Sequence, residues 1–507
     1  MTRARNRYLI RKPLADVRDD SEHHGLRRVL GPVHLVLIGI GCIIGAGVYV
    51  MTGTAAANYA GPAVMLSFVI AGLACAFTGL CYAELSSTLP VSGASYSYAY
   101  AALGEAFAWG LGWMLMLELG LAGSALAVGV SGYLVSLLGD FGVQVPAMIA
   151  TPFMRPEAGQ AGTHFVTGGG VNLVATGALA FFALILVRGV SQSAAINAVM
   201  VTVKVGVLIA FIAFGAPHVD PANWQPFIPE NQGGFTYGWQ GVLRGASILF
   251  FAYLGFEAVA TAALEARKPQ RDIPIGILGA LAIATLVYMA VAAVLTGLVS
   301  YRLLNVPDPV AVAVEAIGLP TLTLVIKVGA LTGLCSVLMV NTYAHSRICY
   351  AMSRDGLLPP LFSRVHARFQ TPHQGTWFVA LTAGIAAAFL PISMLGDLVS
   401  IGTGFVFATV AISVMWLRTT QPDLPRPFRV PFGGVRIGGM WLGVVPVLAL
   451  LFCILMIGPV ILDIIHKATV GEWVPAIILG VYLCFGLAFY LLYGVRNSRL
   501  GRAFAEG

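Results

Sequence analysis

A single lysine, Lys204, lies near the middle of an apolar run from residue 194 to residue 215 that contains no other charged residue. An ammonium group inside a hydrocarbon layer is costly, so an ionisable residue at such depth indicates a function. On a helix that rises 1.5 Å per residue, both membrane surfaces lie about 15 Å away, which is too far for the side chain to snorkel. The protein must therefore supply acceptors for this charge, or the lysine must release its proton.

The composition is that of a membrane protein. Of the 507 residues, 58% are hydrophobic and only 10% are charged, whereas a soluble domain carries about 25% charged residues. Hydrophobic runs of membrane-spanning length predict twelve spans, at residues 33–58, 62–85, 104–138, 171–188, 194–216, 239–265, 274–299, 321–352, 376–392, 397–418, 441–464 and 473–494. With the N-terminus inside, most Lys and Arg residues fall in cytoplasmic segments, as the positive-inside rule requires. Membrane topology thus explains the net charge of +7, and we expect no nucleic-acid partner.

No sequence motif indicates catalysis, a cofactor or a metal. All seven cysteines fall inside predicted spans, and no pair has the spacing of zinc ligands. Residues 39–45 formally match a Gly-x-Gly-x-x-x-Gly pattern, but they lie within a span and follow no strand, so a nucleotide site is a weak interpretation. We therefore predict a protein that is not an enzyme and that uses neither a cofactor nor a metal.

Two halves of similar length are recognisable, with spans 1–5 at residues 33–216 and spans 6–10 at residues 239–418. Each half begins with a span that is interrupted in its middle, by four glycines within residues 39–47 and by the segment 250–256. Unwound backbone at membrane depth persists only where it lines a cavity. Matching interruptions in two halves indicate the midplane site of a transporter, and an odd number of helices per half makes the two halves inverted.

Helix packing is the alternative explanation of these glycines. Gly41 and Gly45 form a small-xxx-small pair of the kind that lets two membrane helices approach closely. For an isolated pair we would prefer this explanation. The matching interruption in span 6 favours a binding site instead.

A pair of broken helices suits an amino acid. The N-terminus of a half-helix presents free N–H groups that attract a carboxylate, and its C-terminus presents carbonyls that attract an ammonium. The amides predicted to bind the carboxylate are those of Gly45, Ala46 and Gly47. The carbonyls predicted to bind the amine are those of Ile43, Phe251, Ala252 and Leu254. The Phe251 ring could close over a bound substrate as a gate, or pack as an ordinary core aromatic.

Several motifs resemble one known family. They are GCIIGAGVYV at 41–50, CYAEL at 81–85, PVSGASY at 90–96, FAYLGFE at 251–257, PQRDIP at 269–274, AMSRDGLLP at 351–359 and PDLPRPF at 422–428. Together they make the chain similar to the amino acid–polyamine–organocation superfamily, and within it to the cationic amino acid transporter family in its bacterial form. Ala46 departs from this pattern, because relatives often carry Thr or Ser there.

The resemblance implies an all-α integral membrane protein with twelve transmembrane helices. Its fold would be the leucine-transporter-like five-plus-five inverted repeat, in which helices 1 and 6 are broken. The expected segments are a cytoplasmic tail at 1–32, the two repeats at 33–216 and 239–418, helices 11 and 12 at 441–494, and a second cytoplasmic tail at 495–507.

Three polar residues inside the spans have candidate roles, and the resemblance implies those of Lys204 and Asn341. Lys204 would place its ammonium between helices 1 and 8. A lysine that alternates there between its charged and neutral forms as the conformation changes can couple proton flow to transport. A permanently paired structural lysine is the alternative. Glu118, in span 3, could pair with a substrate cation, relay protons, balance Lys204 or serve only in structural pairing. Asn341, in span 8, would face the substrate side chain, or else bond to a neighbouring helix.

Other charged residues in the spans are expected to be structural. Glu84 and Glu257 lie in family motifs and should form hydrogen bonds between helices. Arg244, Lys327 and Asp397 lie close to the ends of predicted spans, so we expect them at the membrane interface.

The sequence thus predicts a secondary-active amino acid permease of a bacterial cytoplasmic membrane with both termini cytoplasmic. Proton-coupled symport of cationic or neutral L-amino acids is the preferred mechanism, and amino acid exchange is the first alternative. A sensor without transport activity on the same fold is the alternative from another class, although the short termini leave no room for a signalling domain. The expected partners are the substrate, protons and the lipid bilayer, and the sequence does not determine the oligomeric state.

Overall fold

The computed structural model describes residues 10–12, 30–89, 94–159, 162–189 and 194–506. Most of the predicted N-terminal tail and residues 90–93 of the PVSGASY motif lie outside these ranges. Within the described residues, nine helical segments are long and apolar enough to cross a membrane. They are Gly47–Thr88, Glu105–Asp140, Val199–His218, Gly238–Thr261, Pro269–Leu298, Pro320–Arg354, Ile392–Thr420, Val444–Thr469 and Val474–Asn497. The chain is therefore a helical, multi-pass membrane protein, and the count of twelve spans stays a prediction.

In the first half, the helices and strands are α1 (Pro32–Ile43), α2 (Thr52–Ala55), α3 (Val64–Thr88), α4 (Ala94–Ala102), α5 (Glu105–Asp140), α6 (Ala147–Ala150), β1 (Met154–Gly159), β2 (Gly162–Thr167), α7 (Leu173–Val187) and α8 (Ala194–Gly215). Short π-helical turns at Gly47–Met51 and Ala56–Ala60 continue α2 in both directions. Gly61, with a φ of 58°, and Pro62 then turn the chain into α3.

In the second half they are α9 (Gly238–Leu249), α10 (Glu257–Thr261), α11 (Pro269–Leu298), α12 (Pro309–Glu315), α13 (Pro320–Arg354), α14 (His373–Phe389), α15 (Ile392–Thr420), β3 (Gly434–Ile437), β4 (Met440–Gly443), α16 (Val444–Thr469), α17 (Val474–Phe489), α18 (Val495–Asn497) and α19 (Arg499–Glu506). Three of these helices begin on a proline, which suits the first helical position because its missing N–H would have no partner there.

The core lies around α5, which packs against both α13 and α15. On the other side of the molecule, α11 packs against α1 and α3. The last long helix, α17, buries only Pro475 and Gly486 among its residues, so it lies at the periphery. This arrangement buries one face of α1 and all the residues at 47–51, while Val33 and Leu37 of α1 are exposed.

Two short antiparallel hairpins, β1–β2 and β3–β4, were not predicted from the sequence. In the second hairpin Ile437 pairs with Met440. The two residues between them, Gly438 and Gly439, have φ values of 58° and 83°. Two consecutive residues with positive φ form the turn that matches the twist of paired strands, and Gly-Gly between apolar residues is its sequence signal.

The predicted boundary between spans 9 and 10 was wrong by several residues. We predicted spans at 376–392 and 397–418, but α14 ends at Phe389 and α15 already begins at Ile392. Pro391 sets this boundary, because a proline disfavours helical backbone in the residue before it. Asp397 consequently lies inside a helix and is buried within the protein.

Arg244 is also buried within the protein, and it forms an ion cluster with Asp397. Its Nη2 atom lies 2.7 Å from Asp397 Oδ2 and 3.0 Å from Asp463 Oδ2. Its guanidinium carbon lies 4.6 Å from the centre of the Tyr59 ring, and Lys467 pairs with Asp463 at 3.0 Å. Two cations and two carboxylates thus balance each other and join α9, α15 and α16.

Lys327 is likewise buried within the protein, close to the end of α5. The side chain is buried, and its Nζ atom lies 2.8 Å from Asp140 Oδ2 and 2.6 Å from Glu315 Oε1. The sequence does not show which distant segments pack over a charged residue near the end of a span. Both basic residues connect helices.

We expect Arg244→Met to destabilise the fold by about 3–5 kcal/mol, because it leaves buried carboxylates without their cation. The thermal unfolding temperature of the detergent-purified protein measures this effect. Arg302→Met removes an exposed arginine and should change stability by less than about 0.5 kcal/mol. Adding Asp397→Asn to Arg244→Met should restore part of the loss, and a double variant no more stable than the single one would contradict the assignment.

Candidate functional site

Both predicted helix interruptions are present. In the first, α1 ends at Ile43, Ile44 has an extended backbone with a ψ of 104°, and helical structure resumes at Gly47. In the second, α9 runs into a 3-10 turn at Phe250–Tyr253, and α10 begins only at Glu257. Between them Gly255 has a φ of 111°, a conformation that favours glycine.

The two interruptions contact each other directly, and glycines allow this approach. A Cβ atom on Gly47 would overlap the Cα and Cβ atoms of Ala252. A Cβ atom on Gly255 would lie 2.7 Å from the carbonyl carbon of Cys42. The space beside Gly47 is thus occupied by the second interruption, and the broken backbones touch on both sides of the crossing.

Lys204 extends from α8 to the end of α1. The side chain is fully buried, and its Nζ atom donates hydrogen bonds to the carbonyl of Ile44, at 3.0 Å, and to that of Gly41. On the opposite side, a Cβ atom on Gly333 of α13 would lie 3.1 Å from the Lys204 Cβ. The ammonium therefore lies beside the first interruption, while the aliphatic part of the side chain packs against α13, the helix of the predicted span 8.

Hydroxyl groups complete the surroundings of Lys204. The Tyr49 hydroxyl donates to the Lys204 carbonyl at 2.9 Å, and the Tyr133 hydroxyl donates to the Tyr49 carbonyl at 2.8 Å. This chain of hydrogen bonds connects α8, the outer half of the broken helix and α5. It fixes the backbone from which the lysine extends.

Tyr288, on α11, is a member of the site that sequence reasoning missed. Its hydroxyl lies 2.9 Å from the Ile43 carbonyl and 3.1 Å from the Ala252 carbonyl. A hydroxyl has one proton, so it donates to one of these two acceptors at a time. Both carbonyls were predicted to bind an amine. A lone tyrosine within an apolar span was the available signal, because a buried hydroxyl requires a partner.

The remaining residues of the predicted substrate site lie around the same crossing. Phe251 is buried, and its carbonyl accepts the Leu254 amide at 3.1 Å. Ala46 is also buried, and a Cβ atom on Gly45 would lie 3.3 Å from the Val337 side chain of α13. The structure thus brings the residues predicted for the carboxylate and for the amine into one region, where α1, α9, α11 and α13 meet.

Glu118 lies on α5 at a separate contact with α15. Its Oε1 atom accepts a hydrogen bond from the Thr403 hydroxyl at 3.1 Å, while its buried Oε2 atom has no hydrogen-bond partner. No basic side chain within the described ranges forms an ion pair with it, so it does not balance Lys204 in this conformation. A buried oxygen without a donor leaves this carboxyl group able to accept one more.

Asn341 bonds to a neighbouring helix. Its Nδ2 atom donates to the Leu119 carbonyl of α5 at 2.7 Å, and a Cβ atom on Gly123 would lie 3.0 Å from the same nitrogen. The residue is half-buried. Leu119 follows Glu118 in the sequence, so Asn341 and Glu118 flank the same turn of α5.

Glu84 bonds to another helix, as predicted, whereas the hydrogen bond of Glu257 lies within its own segment, contrary to the prediction. Glu84 accepts a bidentate pair from Arg418, at 2.8 and 2.5 Å, and therefore joins α3 to the end of α15. Glu257 accepts the Gly255 amide at 3.0 Å and holds the second interruption in place. Among the described residues, no group of three or more His, Cys, Asp or Glu side chains could hold a metal ion.

The arrangement provides two kinds of chemistry in one apolar enclosure. Backbone carbonyls and amides released by the interruptions can bind a ligand that carries both a carboxylate and an amine. A lysine that bonds to two of those carbonyls can hold or release a proton, and its contacts with α1 depend on that proton. A ligand site and a proton site in the same place are typical of membrane transport proteins.

Comparison with known proteins agrees with this description. Residues 30–485 match the amino acid permease family. The chain is 39% identical to the methylthioribose transporter of Bacillus subtilis over 97% of its own length and 99% of that protein. It is 39% identical to the branched-chain amino acid permease BcaP of the same organism, with coverages of 95% and 96%.

More distant relatives include the vacuolar cationic amino acid transporter 4 of Arabidopsis thaliana, which is 36% identical over 82% of this chain and 68% of that protein. These relatives are transporters and permeases, which agrees with the prediction that the chain is not an enzyme. The family match covers both interrupted helices, Lys204 and the contacts around them. The chain belongs to the amino acid permease family.

Proposed function

We propose that this protein is a secondary-active amino acid transporter that couples the uptake of L-amino acids to proton flow. The observation that carries the proposal is the crossing of two broken helices at Gly47 and Ala252, with the Lys204 ammonium bonded to the carbonyls of Gly41 and Ile44. The crossing gathers backbone carbonyls and amides that the interruptions release from regular helical bonding, and in this conformation Lys204 and Tyr288 lie within hydrogen-bond distance of four of the carbonyls. The lysine supplies a proton site that contacts the same backbone.

The proposed topology has twelve membrane helices, with both termini in the cytoplasm of a bacterial cell. The helices would form two inverted repeats of five, at 33–216 and 239–418, followed by two helices at 441–494. Support comes from the positive-inside distribution of Lys and Arg, from the nine apolar helical segments and from the two interruptions. In this orientation α1 forms the cytoplasmic half of the first broken helix.

Coupling follows from the contacts of Lys204. In the protonated state, the ammonium satisfies the carbonyls of Gly41 and Ile44 and ties α8 to the end of α1. Loss of the proton removes charge from those hydrogen bonds and weakens them, since bonds to charged groups are worth about twice as much as neutral ones. The inner half of the broken helix is then free to move relative to α8.

The substrate class is proposed from the site and from the relatives together. BcaP is named for branched-chain amino acids and the Arabidopsis proteins for cationic ones, so we propose neutral and cationic L-amino acids for this chain. The methylthioribose transporter is named for a sugar that carries neither a carboxylate nor an amine. The paired helix interruptions favour a ligand that has both groups, so methylthioribose is the second candidate.

Uptake of labelled amino acids into liposomes that contain the purified protein tests the proposal. Symport predicts accumulation driven by an inward proton gradient, while exchange predicts uptake only into liposomes preloaded with amino acid. A sensor would show binding without either kind of uptake. Methylthioribose belongs in the competition panel, and its uptake without any amino acid transport would overturn the substrate class.

Lys204→Ala should abolish accumulation driven by a proton gradient, because no titrating group would remain beside α1. Counterflow of labelled substrate should persist if binding does. The measurement compares both assays in liposomes, with Val203→Ala as the control, since Val203 is the adjacent residue and its side chain is largely exposed on the helix surface. A Lys204→Ala protein that accumulates substrate as well as the parent would refute the coupling role.

Gly47→Val should weaken substrate binding at least tenfold, or about 1.4 kcal/mol, because its side chain would force the two broken helices apart. Binding to the purified protein, measured by calorimetry, reports the change. Gly206→Val is the control, since a Cβ atom there meets no atom within 4 Å. Unchanged affinity in correctly inserted Gly47→Val protein would place the site elsewhere.

Asn341→Met tests the wall that faces the substrate side chain. If Asn341 provides a polar end to the pocket, the preference for arginine over leucine should fall about tenfold, the scale of one hydrogen bond to a charged group. Competition by arginine, lysine, alanine and leucine measures it, and Val340→Met, at an exposed neighbouring position, is the control. An unchanged profile would leave Asn341 with only its bond to Leu119.

A further inference from the structure

A second polar cavity, far along the sequence from the broken helices, lies where α15 ends and α16 begins. It has a volume of about 140 Å³ and is lined by Arg418, Pro422, Arg426, Arg429 and Trp441. Arg418 is in the last turn of α15, and Trp441 lies in β4, directly before α16. Since two membrane helices meet the cavity with their ends, it lies at a membrane surface.

The charges around this cavity are not balanced. Glu84 forms an ion pair with Arg418 at 2.5 Å and with Arg426 at 3.7 Å. Within the described residues, no carboxylate forms an ion pair with Arg429, whose side chain is exposed. Asp423, on the same loop, does not line the cavity. Three arginines thus face one carboxylate.

The positions of Arg418 and Arg426 are fixed by the protein. Arg426 donates hydrogen bonds to four carbonyls, including those of Leu417 and Gln421 at 3.1 and 2.8 Å. The guanidinium carbon of Arg418 lies 4.1 Å from the centre of the Trp441 ring. Burial, together with repulsion from Arg418 and Arg429, lowers the pKa of Arg426 despite the carboxylate of Glu84. The site is built, and it holds like charges together.

The neighbouring hairpin carries apolar side chains on its outside. Phe432, Val435 and Ile437 are 76%, 61% and 62% exposed, and every residue of β3 is exposed. Large apolar side chains beside arginines at the end of membrane helices are typical of a segment that lies in the membrane interface. This favours a ligand that belongs to the bilayer over a free ion in solution.

We propose that this cavity binds the phosphate group of an anionic phospholipid, whose acyl chains lie beside the β3–β4 hairpin. Arginine recognises phosphate through N–H groups. The Nη1 and Nη2 atoms of Arg426 already donate to backbone carbonyls, so Arg418 and Arg429 would contact the phosphate while Arg426 adds positive charge. Basic pockets between membrane helices on the cytoplasmic side bind anionic headgroups. The face is cytoplasmic in the topology proposed above. The site itself depends only on the geometry of the two helix ends and the hairpin.

The test uses the full-length protein purified in detergent and native mass spectrometry with added phosphatidylglycerol. We expect the first phosphatidylglycerol to bind more tightly than phosphatidylcholine with the same acyl chains. Arg429→Gln should weaken that first binding about fivefold, which corresponds to about 1 kcal/mol for one arginine near the membrane surface. Arg429→Lys keeps the positive charge, so it should weaken the first binding of phosphatidylglycerol by a smaller factor. Arg429 is exposed, so its variants should fold normally, and their unfolding temperature checks this.

Arg364→Gln is the matched control. Arg364 is exposed and lies between α13 and α14, on the same side of the membrane as the end of α15, because α14 and α15 cross it in opposite directions. Equal weakening by Arg364→Gln, or equal binding of the two lipids, would overturn the proposal. If inorganic phosphate binds in an Arg429-dependent manner while phosphatidylglycerol does not, the ligand is a free anion and the lipid assignment is wrong. Each readout is independent of transport.

Discussion

Unpaired backbone at the two helix interruptions is the constraint on which the rest of the structure depends. Within a bilayer no water is available to satisfy these groups, so the protein must provide partners for them. Lys204 donates to the carbonyls at the end of α1, and Tyr288 donates to one carbonyl of each interruption in turn. The helices that carry these donors, α8 and α11, are therefore held beside the broken ones.

Contact between the two interruptions requires glycine, which has no Cβ atom, at both points of contact. Gly47 contacts Ala252, and Gly255 contacts the backbone of Cys42. Each broken helix therefore fills the space beside the interruption in the other. Any side chain at either glycine would separate the carbonyls that Tyr288 bridges. Close packing and hydrogen bonding thus impose the same geometry, which leaves a compact enclosure rather than an open pore.

Charged side chains, by contrast, hold the ends of the helices. Arg244 and Lys327 each join two carboxylates from other segments, and Glu84 joins α3 to the end of α15. Such pairs tolerate burial because each charge has an opposite charge beside it, although the Nε and Nη1 atoms of Arg244 and the Oδ1 atom of Asp397 have no hydrogen-bond partner. Near the helix interruptions, the backbone carbonyls accept hydrogen bonds from the neutral hydroxyl of Tyr288 and from the ammonium of Lys204. A molecule built in this way can change the contacts of that lysine while its helix ends stay connected.

The sequence by itself determined the helical membrane class, both interruptions and the need of Lys204 for buried acceptors, because hydrophobic length, glycine and an isolated charge are local signals. It did not determine that Arg244 and Asp397 meet, that Asn341 bonds to the Leu119 carbonyl, or that Tyr288 joins the two interruptions. Those partners lie tens to hundreds of residues apart. A local pattern shows that a buried polar group needs a partner, and only the packing of distant helices decides which one it finds.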